Sequence, residues 1–278
     1  MRLTSSFQTP ARPAHLQRGV ILPERRARQD WQLDAAWATS PEQVRQAQQL
    51  RYRVFALEMG ARLAPPPGTA PELDADRFDP FCDHLLVRAS QRGRRANTIL
   101  VGTYRLLSPA AAGRAGGLYM DTEFDLAPLA RLRAGAVELG RSCVDPAWRS
   151  GAVIMMLWSA LGAYMRSHDA RTMIGCASIA LGADPVRATT LWQQLKQTHL
   201  VAPQWQVAPR LGLPLAADRA STHAHLVQAP PLIKGYLRCG ARLLGPPALD
   251  AAFNTADLPM MLQVDELAPR YRRHFLDL

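Results

Sequence analysis

VELGRSCVDPAWRSGAVIMMLW, residues 137–158, is the stretch that decides the fold. Its first eight residues are mostly apolar and have the length of a buried strand, which ends in a sharp turn at Asp145-Pro146. From Gly151 onward an uncharged run predicts a buried helix. The stretch therefore predicts a strand, a short loop and a helix that lies across a sheet.

Two charged residues, Glu138 and Arg141, interrupt the apolar strand. A buried charge without a partner is costly, so this pair must face a cleft or each other. Residues three apart on a regular strand point to opposite faces, so a shared cleft also requires a local bulge or splay. The pattern predicts a charged cleft at an irregular point of the strand.

The turn that enters the helix consists of Arg149, Ser150 and Gly151. The first turn of a helix has backbone N–H groups without intrahelical acceptors, and such groups bind anions. We therefore predict that a phosphate-bearing ligand meets the charged cleft at this turn.

Composition sets the class of protein. A length of 278 residues and a hydrophobic content of 48% predict a globular chain with a substantial core. We expect residues 1–30 to be a basic flexible arm and residues 31–278 to form a single domain with a helical and loop insertion around 184–230.

The uncharged helix 151–165 is shorter than the roughly 20 apolar residues of a membrane span. The four widely spaced cysteines favour reduced thiols in the cytoplasm.

The formal charge of +10 fits an acidic protein partner, an anionic membrane surface or nucleic acid. A GC-rich genome explains the predominance of arginine among the basic residues equally well. The sequence contains no recognisable nucleic-acid-binding motif, and its basic residues are not clustered with interleaved aromatic residues. We therefore expect no nucleic-acid partner.

The rest of the chain predicts an α+β fold. Ser40-Pro41 begins a helix, and residues 84–89 and 99–107 predict an antiparallel hairpin. Residues 172–180 predict a strand parallel to the first one, because a helix joins the two. Residues 113–117 predict a loop and residues 122–126 a short helical segment. These elements predict a mixed, mostly antiparallel central sheet flanked by helices.

An acidic segment, residues 73–83, contains four aspartates around two phenylalanines. It lacks the glycine and glutamate that a calcium loop requires, so we predict no metal site. Three interpretations stay open: a solvated loop, a network that ties Asp76 and Asp79 to the sheet, and a lid whose aspartates meet an amine substrate or the arginines of the cleft.

Eight stretches together resemble the L-ornithine N-alpha-acyltransferases, GNAT-fold enzymes that make lyso-ornithine lipid from a 3-hydroxyacyl carrier protein. They cover most of the chain from about residue 40 onward: residues 50–55, 76–86, 101–107, 123–126, 138–144, 174–178, 232–237 and 253–257. A more distant resemblance, to the acyl-homoserine-lactone synthases, rests on Arg51 with Phe55, Asp76 with Asp79, Arg105, and Glu138 with Arg141.

The resemblance implies a GNAT-like N-acyltransferase fold and direct transfer, in which an amino-acid amine attacks a thioester carbonyl and the thiol leaves. Glu138 is then the candidate for accepting the amine proton, directly or through water, or for fixing the ammonium. Arg141 and Arg105 would orient Glu138 or bind the substrate carboxylate. No cysteine is expected to act as a nucleophile, and Cys143 is expected to be a core thiol.

The same resemblance makes Arg51, Asp76 and Asp79 candidate substrate-binding residues, with the two aspartates receiving the distal ammonium of ornithine. Arg149, Ser150 and Gly151 would bind the donor's phosphate. This turn keeps one of the several glycines usual in GNAT proteins, which suits the single phosphate of a carrier protein's phosphopantetheine arm better than coenzyme A. No separate cofactor is expected.

The partners implied are acyl carrier protein and an amino-acid acceptor, in the cytoplasm or at the inner face of the membrane. One alternative is an acyl-homoserine-lactone synthase or another N-acyl amino acid synthase. A different class, a non-enzymatic basic membrane-binding protein, would need an amphipathic surface helix. The sequence has an all-apolar helix and charged strand interiors instead.

Overall fold

The computed structural model describes residues 31–91, 94–149, 151–182, 186–213 and 227–275. The arm predicted for residues 1–30, Ser150 of the phosphate turn, and part of the insertion predicted around 184–230 lie outside these residues.

Ten strands form the described part of the fold. They are β1 (Trp31–Trp37), β2 (Asp83–Gln91), β3 (Arg94–Leu107), β4 (Phe124–Asp125), β5 (Ala136–Val144), β6 (Thr172–Ala180), β7 (Ala208–Pro209), β8 (Arg242–Leu243), β9 (Ala248–Asp250) and β10 (Thr255–Gln263).

Eight α-helices connect or flank these strands. They are α1 (Pro41–Arg51), α2 (Pro109–Ala115), α3 (Met120–Glu123), α4 (Ala130–Arg133), α5 (Ala152–Ser167), α6 (Val186–His199), α7 (Pro231–Cys239) and α8 (Pro269–Phe275). The Ser40 side chain caps α1 by accepting a bond from the Gln43 amide, as the sequence predicts, and the chain continues from α1 as a π-helix, Tyr52–Glu58.

The main sheet has the order β1-β2-β3-β5-β6-β10-β8, and β9 pairs with β10. All described pairs in it are antiparallel except β5 with β6, which the α5 crossover joins in parallel. A second, two-stranded sheet contains β4 and β7. The predicted mixed, mostly antiparallel sheet flanked by helices is confirmed.

The sheet separates two layers of core. One face packs against α5 through residues such as Val137, Val153 and Leu157. The opposite face packs against the segment that contains α2 and α3, through Phe124, Ala136 and Ile174. Residues on alternate positions of β5 therefore belong to different layers, and this decides where each polar side chain of the strand points.

Three local predictions differ from the structure. No strand is predicted for residues 31–37, which form the edge strand β1. Residues 113–117 were predicted as a loop, but helix α2, capped by Ser108, runs to Ala115. The helical segment predicted for 122–126 ends at Glu123, because the chain then extends to pair with β7.

No helix in the described residues combines the length and the apolar character that crossing a bilayer requires.

Candidate active site

A bulge in β5 lies at the centre of the site. Thr103 pairs with Cys143 and Arg105 pairs with Gly140, so Tyr104 of β3 faces two residues of β5 instead of one. The first of the two, Arg141, has a positive φ of 50°, a left-handed conformation that is uncommon away from glycine. The local irregularity that the sequence predicts is present.

The bulge places both charges of β5 on one face. Arg105 lies beside Gly140 on the face that carries Glu138, and Arg141 contacts aspartates on that same face. Ser142 consequently turns to the opposite face, towards Tyr104. The strand thus changes its alternation where the two charges meet, as a shared cleft requires.

The cleft exists because β5 and β6 separate. Their ladder runs from Ala136 paired with Thr172 to Leu139 paired with Gly175, and beyond that pair the described β5 residues form strand pairs only with β3. A Cβ atom at Gly175 would lie 2.4 Å from the Leu139 carbonyl oxygen, so only glycine permits this close approach. The cleft beyond the separation has a volume of about 510 Å³.

Arginines and aspartates form a buried network beneath one face of the cleft. Arg51, which is fully buried, binds Asp74 at 2.9 Å and Asp79 at 2.6 Å. Arg105 binds Asp76 at 2.7 Å and Asp79 at 2.6 Å. Asp76 and Asp79 therefore have arginine partners, which excludes a solvated loop and agrees with a network that ties the acidic segment to the sheet.

Burial alone would raise the pKa of Asp79, but the charges of Arg51 and Arg105 lower it well below its usual value. Burial also opposes ionisation of Asp76, and Arg105 and Arg141 outweigh it and lower that pKa as well. Both carboxyl groups are therefore ionised at neutral pH and compensated by the arginines.

Arg141 lies at the edge of the network and lines the cleft. Its contacts with Asp74 (3.3 Å) and Asp76 (3.2 Å) are longer than those of Arg51 and Arg105. Its guanidinium lies over the rings of Tyr119 (4.9 Å) and Phe253 (4.7 Å). Arg105 and Arg141 both line the cleft, and Arg141 is the one more loosely held by carboxylates.

Glu138 is held by backbone amides. Its two carboxylate oxygens accept bonds from the N–H groups of Met120 and Tyr119, each at 2.7 Å. Burial raises the pKa of Glu138 to about 7, although these two hydrogen bonds oppose the shift. Each oxygen keeps a further lone pair, so the carboxylate can hold a proton or a water in addition to fixing the start of α3.

The predicted phosphate turn lies at the other end of the cleft. Gly151 has a φ of 87° and precedes α5, and both Arg149 and Gly151 line the cleft. The Arg149 guanidinium binds both carboxylate oxygens of Glu58, at 2.6 and 2.7 Å. The turn is therefore placed at the cleft, with its arginine held by an exposed partner.

A second acidic group lies at the cleft and is not predicted from the sequence. A carboxylate oxygen of Glu123, the Cys176 sulfur and a carboxylate oxygen of Asp257 lie within 4.8 Å of one another. They are on the same face of the sheet as Glu138. Burial raises the pKa of Glu123 to about 8, and Asp257 adds to the shift. Burial likewise raises the pKa of Asp257 to about 6, against hydrogen bonds from Thr255 and Ser178.

This group differs from the arginine network in its partners. One oxygen of Glu123, Oε1, is buried and accepts no hydrogen bond. The Cys176 thiol donates to the other oxygen at 3.4 Å, and burial raises its pKa well above the usual value, so it stays protonated. Within the described residues no guanidinium forms an ion pair with Glu123 or Asp257, although the charge of Arg141 lowers the pKa of Asp257. Burial therefore leaves Glu123 mostly protonated at neutral pH.

Cys143 is buried against Leu50 and Val54, and burial raises the pKa of its thiol to about 12. A protonated thiol in an apolar cluster is not a nucleophile, which agrees with the core thiol predicted from the sequence.

The opposite face of the sheet carries an apolar pocket. Tyr104, Leu139, Trp158, Cys176, Ala177 and Tyr236 line both this pocket and the cleft, so the two cavities adjoin at the separation of β5 from β6. Deeper in, the pocket is lined by residues such as Leu161, Met173 and Leu262. The geometry gives the cleft a polar side and an apolar side.

Comparison with known proteins agrees with this geometry. A family model described as an acetyltransferase (GNAT) domain matches residues 50–159. The L-ornithine N(alpha)-acyltransferase of Rhizobium meliloti (strain 1021) is 36% identical over 250 residues, which are 87% of this chain and 84% of that protein. The enzyme of the same name from Brucella abortus (strain 2308) is 35% identical over 87% of this chain and 88% of its own length.

Among solved structures, the N-acyl amino acid synthase FeeM from uncultured soil microbes superposes with a TM-score of 0.49 at 14% identity, over 85% of this chain and 94% of that one. The family model confirms the GNAT fold that the sequence resembles. The curated relatives show that this chain is an acyltransferase and that it belongs to the L-ornithine N(alpha)-acyltransferase family.

Proposed function

We propose that this chain transfers a 3-hydroxyacyl group from acyl carrier protein to the α-amine of ornithine, giving lyso-ornithine lipid. The names of the relatives support the acceptor. The observation that carries the proposal is the two-sided cleft, in which an acidic site on one face of the sheet meets an apolar pocket on the other at the separation of β5 from β6.

The acceptor would lie on the acidic side. Arg141 is the candidate for the α-carboxylate, because it lines the cleft and a guanidinium binds a carboxylate with two parallel hydrogen bonds. Glu123 and Asp257 are our candidates for the distal ammonium, in place of Asp76 and Asp79, which the arginines already neutralise. Arg51 and Arg105 would then have a structural role, in which they fix Asp76 and Asp79 beneath the cleft.

The acyl donor would reach the same point from the other side. The phosphate of the phosphopantetheine arm would lie at Gly151 and Arg149, together with Ser150, and the acyl chain would enter the apolar pocket. The chain's own residues need no additional cofactor for this step.

In the reaction the amine nitrogen attacks the thioester carbonyl, a C–N bond forms and the C–S bond breaks. Glu138 is our candidate for accepting the proton that the amine loses, directly or through water, because its pKa of about 7 suits a general base at neutral pH. The thiolate of the carrier arm takes up a proton and leaves as a thiol.

The product has a long acyl chain, so we also propose that the enzyme works in the cytoplasm and at the inner face of the membrane. Leu57 and Met59 support this location: they are 68% and 41% exposed, and Met59 lines the cleft. The positive charge of the chain would attract both an anionic membrane and an acidic carrier protein.

The proposal is tested by offering the purified protein 3-hydroxyacyl carrier protein or acetyl coenzyme A, each with ornithine, glycine or S-adenosylmethionine. We expect N-acylornithine from the carrier protein and ornithine. Robust turnover of acetyl coenzyme A in place of the carrier protein would reject the donor. A lactone from S-adenosylmethionine would instead support an acyl-homoserine-lactone synthase.

The acceptor site is tested with norvaline, which has the carbon skeleton of ornithine without the distal amine. We expect the Glu123→Gln variant to lose at least tenfold in kcat/KM for ornithine and to keep its value for norvaline, because only the ammonium contact is weakened. Exposed Glu266 provides the matched control, Glu266→Gln. An equal loss with both amino acids would mean that Glu123 does not bind the ammonium.

A further inference from the structure

Three hydroxyl groups meet where the cleft joins the apolar pocket. The hydroxyl oxygens of Tyr104 and Tyr236 are 2.6 Å apart, and the Ser142 side chain lies beside both phenols and lowers the pKa of each. The two tyrosines line both cavities, and Ser142 lines the cleft. A polar cluster therefore stands at the mouth of an otherwise apolar pocket.

The fold fixes these hydroxyls in place. The bulge at Arg141 turns Ser142 to the face of the sheet that carries Tyr104. Trp158 stacks on the Tyr236 ring with centroids 5.6 Å apart, and this requires glycine at position 235, where a Cβ atom would lie 2.3 Å from the indole. The cluster thus has a rigid aromatic support from α5 and α7.

Both tyrosines are neutral hydrogen-bonding groups at physiological pH. Burial raises the pKa of Tyr104 to about 12 and raises that of Tyr236 well above its usual value. Each hydroxyl offers one donor and two acceptor sites, so the bonds among three hydroxyls leave capacity for one further polar group.

An acyl chain that enters the pocket must pass this cluster. Its thioester lies in the cleft, and Leu139 and Cys176 mark the boundary shared by the two cavities. The hydroxyls therefore face the first few carbons of the chain, and the residues beyond them contact its apolar remainder. A methylene group placed there leaves the spare hydrogen-bonding capacity unused, whereas a hydroxyl group fills it.

We propose that Tyr104, Ser142 and Tyr236 select acyl chains that carry a hydroxyl group close to the thioester. This inference rests on the proposed function, because it assigns to named side chains the recognition of the 3-hydroxyl of the donor. A site built to bond a substrate hydroxyl discriminates strongly against the analogue that lacks it.

The test compares kcat/KM for 3-hydroxyacyl and unsubstituted acyl carrier protein of the same chain length, with ornithine as acceptor. We expect the wild-type protein to prefer the hydroxylated donor at least tenfold. Tyr236→Phe and Ser142→Ala should bring this ratio close to one, by lowering kcat/KM for the hydroxylated donor alone. Tyr164→Phe is the matched control: it removes a hydroxyl that bonds Asp83 at 2.8 Å, outside the residues that line the two cavities.

Two results would overturn the inference. One is a wild-type ratio near one. The other is an equal loss with both donors in folded Tyr236→Phe and Ser142→Ala, which would indicate a general acid or a packing role. Failure of the proposed function looks different, because the wild-type protein would then acylate an amine other than ornithine. The donor ratio is measured with that amine, and the inference is judged by the ratio alone.

Discussion

Replacing Asp79 by asparagine tests whether the arginine network holds the site together. Asp79 is 5% exposed and accepts bonds from Arg51 at 2.6 and 3.1 Å, from Arg105 at 2.6 Å and from the Gln48 amide at 2.9 Å. Asparagine keeps the shape but removes the charge, so two buried guanidinium groups lose part of their compensation.

Breaking a buried ion pair on one side costs about 3–5 kcal/mol, because the remaining charge stays buried. Total stabilities of about 5–15 kcal/mol make this a large fraction. With a urea m-value of about 3 kcal/mol/M, the unfolding midpoint of Asp79→Asn should fall by roughly 1–2 M. Asp265, whose pair with Arg171 is 3.8 Å long and largely exposed, provides the control, and Asp265→Asn should cost less than about 1 kcal/mol.

The difference between wild type and Asp79→Asn should also depend on pH. The pKa of Asp79 is lower in the folded than in the unfolded protein, so its contribution is present above the unfolded value of about 3.9 and is lost as pH falls below it. Urea melts followed by tryptophan fluorescence at pH 7 and in the acid range measure both effects. A loss below about 1 kcal/mol at pH 7 would refute the reasoning, because the arginines would then not depend on Asp79.

Three further predictions concern the cleft. Gly175→Ala should destabilise the fold by about 1–3 kcal/mol in urea melts, or force β5 and β6 apart, since its Cβ meets the Leu139 carbonyl at 2.4 Å; a wild-type melt with wild-type activity would contradict this. Glu138→Gln should lower turnover roughly 10²–10⁴-fold in a folded protein, and the wild-type rate should rise as pH passes about 7; near-normal turnover would reject Glu138 as the base. Affinity for acyl carrier protein should fall clearly from low to high salt in binding assays, because the Debye length shrinks to roughly 8 Å at physiological ionic strength. A salt-independent affinity would mean that the +10 charge does not steer this partner.

The features that could be predicted from the sequence are those with a local cause. Two charges three apart in an apolar strand required a bulge, and the bulge lies at Arg141. A helix between two apolar strands required parallel pairing, and β5 and β6 are parallel. The edge strand Trp31–Trp37 was missed although its first residues alternate between apolar and polar side chains, because this alternation is short and ends at Ala35-Ala36.

The features that could not be predicted depend on contacts between distant segments. Tyr104 and Tyr236 are 132 positions apart, and nothing near either residue indicates the other. Glu123 is the last residue of the short helix α3 and Asp257 lies inside the last long strand, so each one alone has the appearance of an ordinary acidic residue. The order of strands places β10 beside β6 and so brings Asp257 near Cys176, and the packing of α3 against that face adds Glu123.

Charge balance is the reason that we propose the acidic pair Glu123 and Asp257, and not the arginine network, for a cationic substrate. The charges of the network cancel, so its carboxylates attract another cation only weakly. Its members are three arginines and three aspartates: Arg51, Arg105, Arg141, Asp74, Asp76 and Asp79. At the pair, burial raises the pKa of Glu123 to about 8 and that of Asp257 to about 6, so ionisation is costly there until a positive charge arrives. An ammonium group would lower both pKa values, and its binding would be coupled to the release of a proton. The network therefore supplies rigidity, and we propose Glu123 and Asp257 as the groups that would ionise when the distal ammonium of a diamino acid binds.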